Sequence, residues 1–295
     1  MKISGAESLS AASNIFVGVE SALTVRPYIS GMTRSELAVM LTAGMATVSS
    51  NVMAVYVFFL HKEFPTIAGH LVSASILSAP AAVLMAKLLV PETGLPLTMG
   101  KDTAPYYEKE DNIFASVING SMAGLKLIAG IAALLIAILG FTAVIDVLFK
   151  FTGQHINRLG NWHIDWSLKA ISGYLMIPFV YIMGIPVQDA GIAAKIIGSR
   201  TIITELTAYL DLANAIKGGL ITSRRSMVII TYALCGFAHI ASLGIFVGGI
   251  AALAPERIKD LSGLGLKCLL AATLACLLTA CMAGIFFTQN SVLLP

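Results

Sequence analysis

Charge is scarce in this chain. Of 295 residues only 19 are Lys or Arg and 16 are Asp or Glu, a charged share of 12% that is about half of what a soluble domain carries. Apolar side chains make up 57% of the sequence, with a mean hydropathy of +0.85, more than one aqueous core can hide. A water-soluble globule is excluded. An excess of either sign is also missing: the net charge is +3 and no basic run extends beyond Arg224-Arg225, so the sequence offers no footprint for nucleic acid. Cysteine is limited to Cys235, Cys268, Cys276 and Cys281, each inside an apolar stretch and none in CxxC spacing, which reads as small packing residues rather than disulfides or zinc ligands. The residues after Met1 lack the apolar run of a signal peptide, so insertion is expected to rely on internal spans. No nucleophile sits with a base, and there is no phosphate-cradling glycine loop or metal cluster. Catalysis has no foothold.

What the sequence has is apolar length. A helix crosses a bilayer with roughly 20 mostly apolar residues, and five windows qualify: 36–60, 66–90, 124–149, 227–253 and 263–287. The first and fourth have polar centres poor in helix formers, around 46–51 and 236–242. Each reads as a broken helix, since backbone freed in lipid is tolerated only where protein or a watery cavity covers it. Segments 4–29 and 187–212 are too polar to span and read as re-entrant hairpins.

The order hairpin, broken span, plain span therefore occurs twice, in residues 4–90 and 187–295. A connector, an amphipathic interfacial helix at 112–123 and a plain span fill 91–150, and an interfacial segment with Trp162 and Trp166 fills 151–186. One plain span between the copies inverts the second relative to the first. The expected fold is an all-α membrane protein built on an inverted repeat, the layout of a secondary transporter whose site lies where hairpin tips meet breaks.

Glu20 and Glu205 are the carboxylates that most need a reason. Each either sits at a hairpin base in headgroup water or is retained for function, because a buried carboxylate is costly and an ionised one accepts two hydrogen bonds from a vicinal diol. Asn14, Thr47 and the carbonyls near Val17 and Val48 suit a hard cation such as sodium, or equally interhelical hydrogen bonding. His239, beside Phe237 and near Ser242, is either a satisfied buried histidine or part of a site lining. Arg200 either snorkels or pairs with a carboxylate.

The stretch Ser4-Gly-Ala-Glu-Ser-Leu-Ser-Ala-Ala-Ser-Asn-Ile-Phe-Val-Gly18, with Arg26-Pro-Tyr-Ile29 and Met32-Thr-Arg-Ser-Glu-Leu37, resembles the first hairpin of concentrative nucleoside transporters. Lys87-Leu-Leu-Val-Pro-Glu-Thr93, Gly198 to Tyr209, Thr231-Tyr-Ala-Leu-Cys-Gly-Phe-Ala238 and Gly248 to Arg257 are similar to family blocks in the same order. The resemblance implies a mobile transport domain that carries a nucleoside with sodium or protons across a trimeric scaffold. It makes Asn14, Val17, Thr47 and Val48 the ligands of a co-transported sodium ion. Glu205, Ser242 and His239, the last replacing a family Asn, become ribose-side residues; Phe237, Val19, Glu20 and Val52 complete the substrate-binding set.

Departures from the family pattern are local. Arg200 stands for Lys, Thr204 for Asn and Leu206 for Phe, while the first tip, Gly18-Val19-Glu20-Ser21-Ala22-Leu23, lacks the base-reading Gln. Sugar recognition is therefore expected to be kept and base recognition altered. The family carries about three further spans before the first hairpin. This sequence is accordingly expected to be a transport-domain portion in the cell (inner) membrane, a homotrimer if complete or else served by a partner chain that supplies those spans. The alternatives are a non-transporting subunit and a transporter of a related, non-standard nucleoside-like substrate.

Overall fold

The computed structural model describes residues 3–288 except Glu108, and only the backbone of Asn51, Lys126 and Leu127. Residues 289–295, the end of the expected second repeat, lie outside the described part. All regular structure among the described residues is helical.

The first repeat opens with α1 (Gly5–Asn14), followed after a turn by α2 (Ser21–Thr24) and α3 (Arg26–Ile29). Next come α4 (Arg34–Ala46) and α5 (Ser50–Leu60), then the unbroken α6 (Ile67–Leu89). The helix α7 (Ile113–Gly160) and α8 (Leu168–Ile182) lead to the second repeat: α9 (Val187–Ile202) paired with α10 (Glu205–Lys217), α11 (Arg224–Leu234) and α12 (Ile240–Leu253), and the long α13 (Ile258–Phe286).

Both expected breaks are real. α4 and α5 have 13 and 11 residues and α11 and α12 have 11 and 14; at 1.5 Å per residue each half rises roughly 16–21 Å, about half or a little more of a hydrocarbon core of roughly 30 Å. The first break is made by Thr47 and Ser49, both extended. Hydroxyl side chains compete with the backbone for its own bonds, and Thr47 Oγ1 donates to Ala43 O at 2.8 Å. In the second, His239 is extended and its ring accepts from Ser242 N–H, which starts α12 afresh.

Packing supports a repeat. α4 lies against both α6 and α13, and α11 against both α13 and α6, so each broken helix touches its own plain helix and that of the other copy. Each hairpin is also pinned to the start of its broken helix. Ser4 Oγ donates to Glu36 Oε1 at 2.6 Å, with Ser4–Glu7 and Thr33–Glu36 forming two capping boxes. In the second copy Asp189 accepts from the backbone N–H of Thr222 and of Ser223, each at 3.2 Å.

The two breaks meet at the centre. A Cβ on Gly236 would lie 2.7 Å from Ala46 O and 2.6 Å from Cys276 Sγ, so only glycine lets the second interruption press on the end of α4. With lipid outside there is little hydrophobic gain between helices, and such small residues supply packing instead. Gly244 and Gly248 of α12 likewise receive Ile138 and Leu134 of α7, and Gly198 of α9 abuts the Ser172–Gly173 backbone of α8.

The intervening region differs from expectation. Residues 112–123 do not form a separate interfacial helix, because Asn112 caps Ala115 N and the helix runs on without interruption to Gly160. No Pro falls within it to stop it. The segment 151–186 begins as the last turns of α7, reverses at Asn161 (φ 56°) and returns as α8, which packs along α9. Trp166 folds back over Gly153 and donates from Nε1 to Asn157 Oδ1 at 3.1 Å. α6, α7 and α13 with the turn before it are long and apolar enough to cross a membrane, and this is a multi-pass membrane protein. Replacing Gly236 by Ala is expected to cost about 1–3 kcal/mol through overpacking, read as a lowered melting temperature in detergent. Gly130→Ala, where a Cβ meets nothing within 4 Å, serves as the neutral control.

Candidate functional site

Glu205 is the first residue of α10, just past the tip of the second hairpin, and is 5% exposed. Thr204 caps the helix by accepting from Thr207 N–H, which leaves the Glu205 side chain free to turn inward. Two elements reach it. From α5, the Tyr56 hydroxyl donates to Oε1 at 2.8 Å, and the Tyr56 ring stacks on Tyr209 of α10 with centroids 4.5 Å apart. From the second break, His239 Nε2 lies 2.8 Å from Oε2.

The tautomer of His239 follows from its other nitrogen. Ser242 N–H donates to Nδ1 at 3.1 Å, so Nδ1 is the acceptor and Nε2 carries the proton that faces the carboxylate. That contact is short but not aligned as a straight hydrogen bond, and Oε2 retains unspent acceptor capacity in a buried place. A buried acceptor in this condition suits a hydroxyl from outside the chain. Ser242 itself is occupied, its Oγ donating to His239 O at 2.7 Å and accepting from His239 N–H. Phe237 is half-buried where the two core clusters join, with its ring 6.4 Å from that of His239. Val52, one helical turn before Tyr56 on α5 and therefore on the same face, is half-buried in the second of these clusters.

A second constellation lies at the first tip and first break. Asn14 is 1% exposed; its Nδ2 donates to Ser10 O at 3.1 Å, while Oδ1 has no hydrogen-bond partner among the described residues. Ser75 of α6 sets its Oγ 3.4 Å from Ile15 O and 3.3 Å from Val48 O, and Ser50 N–H donates to Phe16 O at 3.2 Å. Thr47 is buried, and Val17 is 44% exposed on the turn. An unsatisfied amide oxygen, a hydroxyl and carbonyls at a half-helix end are hard, neutral donors of the kind an alkali cation takes.

The sequence-derived residues thus fall into two groups. Glu205, His239, Ser242, Phe237 and Val52 gather around the second tip; Asn14, Val17, Thr47 and Val48 gather around the first. Glu20 and Val19 join neither by a bond. Glu20 is exposed at the first turn, near Gly18, which itself rests on Ser49, and Val19 packs on Gly249 of α12. Sequence reading missed Tyr56 and Ser75. A lone phenol in the apolar run of α5 was the available signal, because a buried tyrosine hydroxyl needs a partner.

Residues 70–284 match the family profile described as Na+ dependent nucleoside transporter C-terminus. That decides the family. The chain belongs to the sodium-dependent (concentrative) nucleoside transporters. It is similar to solute carrier family 28 member 3 of Mus musculus, at 38% identity over 95% of this chain and 40% of that protein. It is also similar to an uncharacterized transporter of Haemophilus influenzae, at 36% over 96% of this chain and 66% of that protein. The sodium/nucleoside cotransporter 1 of Rattus norvegicus is 32% identical over 99% of this chain and 46% of that protein. Among solved structures, the transporter CNTnw in an inward-facing substrate-bound state superposes with a TM-score of 0.76 at 36% identity, over 96% of this chain and 66% of that one. A CNTnw variant in an intermediate state reaches 0.82 at 36% identity over the same shares. The chain spans less than half the length of the mammalian relatives it matches.

In this nucleoside-transporter chain Tyr56→Phe removes one donor from a buried carboxylate and keeps the ring. The expected result is a loss of about 1–3 kcal/mol of stability, measured by melting of the purified protein, with Tyr181→Phe, at an exposed position of α8, unchanged.

Proposed function

We propose that this chain performs sodium-coupled uptake of nucleosides by alternating access, with the ribose diol received at Glu205. The observation that carries the reading is the buried Glu205 carboxylate, met from α5 by Tyr56 and from the second break by His239, with Oε2 still able to accept. Two adjacent sugar hydroxyls match such an acceptor, and the charge-assisted bonds they form are among the stronger ones. Family membership supports the nucleoside as cargo.

In the same reading sodium binds at the first tip. Asn14 Oδ1, Thr47 Oγ1 and the Val17 and Val48 carbonyls would hold it, and their link through Ser75 and Ser50 joins the first hairpin to the first break. Binding the ion there stiffens that junction, so it favours the arrangement that receives substrate, and linkage makes each ligand raise the affinity of the other. The breaks then serve as the moving site, carried between the two faces of the cell membrane against α7 and its surroundings. Assembly as a homotrimer belongs to the same reading.

Three outcomes test it. Glu205→Gln keeps size and insertion but is expected to abolish labelled uridine uptake into proteoliposomes; uptake at the wild-type rate would overturn the role of Glu205. Asn14→Ala is expected to raise the sodium concentration for half-maximal uptake by about ten-fold or more, the worth of a lost ligand to a charge; an unchanged sodium curve would remove the ion from this place. At Val19, a change to Gln adds a hydrogen-bonding group at the tip and is expected to sharpen preference among bases in a competition panel.

A further inference from the structure

Arg200 is among the largest side chains with no exposure at all. It sits in the last turn of α9, and its Nη1 donates to Ala233 O at 2.6 Å. Nε and Nη2 have no hydrogen-bond partner among the described residues. A guanidinium keeps its charge under all ordinary conditions, and placing one at mid-membrane carries a cost that calls for a reason.

The reason lies in what Arg200 touches. The last four carbonyls of α11 have no partner within the helix, yet each is filled from nearby. Thr231 O accepts from the Tyr209 hydroxyl at 2.9 Å, Tyr232 O from Cys235 N–H at 3.1 Å, Ala233 O from Arg200, and Leu234 O from Gly236 N–H at 2.9 Å. The negative end of the half-helix therefore meets a fixed positive charge.

The first repeat uses neutral groups instead: at the end of α4, Ala43 O accepts from Thr47 N–H and Oγ1, and Ala46 O lies 3.7 Å from Cys276 Sγ. At its hairpin tip Asn14 Oδ1 is a buried acceptor with no hydrogen-bond partner among the described residues, while the Ile15 and Val48 carbonyls lie 3.4 and 3.3 Å from the Ser75 hydroxyl. An open amide oxygen with only one hydroxyl proton shared by the two nearby carbonyls has acceptor capacity left for a cation; carbonyls already met by a guanidinium need none.

We propose that Arg200 is a tethered counterpart of the co-transported ion. It fills in the second repeat the role that the dissociable cation fills in the first, and acts as a positioning residue that keeps the second tip, and Glu205 on it, docked on α11 whether or not an ion is bound. The comparison with the first tip rests on the sodium reading above. One consequence is that the two tips respond differently to salt: the first is ordered by sodium and the second is indifferent to it. Another is that the chain has one dissociable cation position between its hairpins and breaks, not two.

The test is amide hydrogen exchange on the purified chain in sodium chloride and in choline chloride, for wild type, Arg200→Lys and Arg200→Met. In wild type, sodium is expected to slow exchange at residues 15–20 and 47–50 and to leave 235–239 within about two-fold. Arg200→Met is expected to speed exchange at 203–205 and 235–239 by about ten-fold, as loss of a charged hydrogen bond implies, with α6 and α13 unchanged; Arg200→Lys, which keeps the charge, stays near wild type. Sodium protection of 235–239 in wild type overturns the proposal, as does wild-type exchange in Arg200→Met. A rise across the whole protein that Arg200→Lys shares marks a folding residue and also overturns it. If sodium protects neither break, the sodium reading of the first tip fails by itself, and the contrast between Met and Lys still decides what Arg200 does.

Discussion

Backbone that leaves a helix inside a membrane has no water to turn to, and every N–H and C=O released there must find a partner in protein. This protein releases backbone twice at mid-depth, and its centre is organised around repairing those two gaps. Cys276 ties them together: its one S–H lies within reach of both Ala46 O, at 3.7 Å, and Cys235 O, at 3.5 Å. Gly236 permits the close approach that makes this possible. The hairpins then bring polar tips to a centre that already has polar groups to spare.

The repair is uneven. Around α11 the last-turn carbonyls are all answered by the chain's own donors. Around the first break an amide oxygen stays open, and on Glu205 one oxygen stays partly open. Native structures leave few buried polar atoms unmatched, and the proposed function assigns the open acceptors at the two hairpin tips to an ion and to a hydroxyl-bearing ligand. The Tyr56 contact adds a link between repeats, because α5 belongs to the first copy and Glu205 to the second.

Much of this was legible in the sequence. The runs 46–51 and 236–242 lack strong helix formers and hold hydroxyls, a glycine and a histidine, and both proved to be breaks. Glu205 stood out because a carboxylate in so apolar a chain demands a partner. What stayed hidden depended on contacts across long separations: Tyr56 reaches Glu205 over 149 positions and Arg200 reaches Ala233 over 33, and neither separation leaves a periodic trace. The region 112–186 misled for a different reason. Its polar ends resemble interfacial helices, but the absence of Pro lets α7 continue, and α8 packs along α9.

The central claim is that a sugar diol, not a base, is what the buried carboxylate receives. Calorimetric titration of the purified protein in sodium with uridine and with 2′,3′-dideoxyuridine addresses it directly. Loss of both hydroxyls leaves the site's polar groups unpaired, so affinity is expected to fall by about a hundred-fold or more, while exchange of uracil for another base moves it less. Equal affinity for the two ligands would contradict the account.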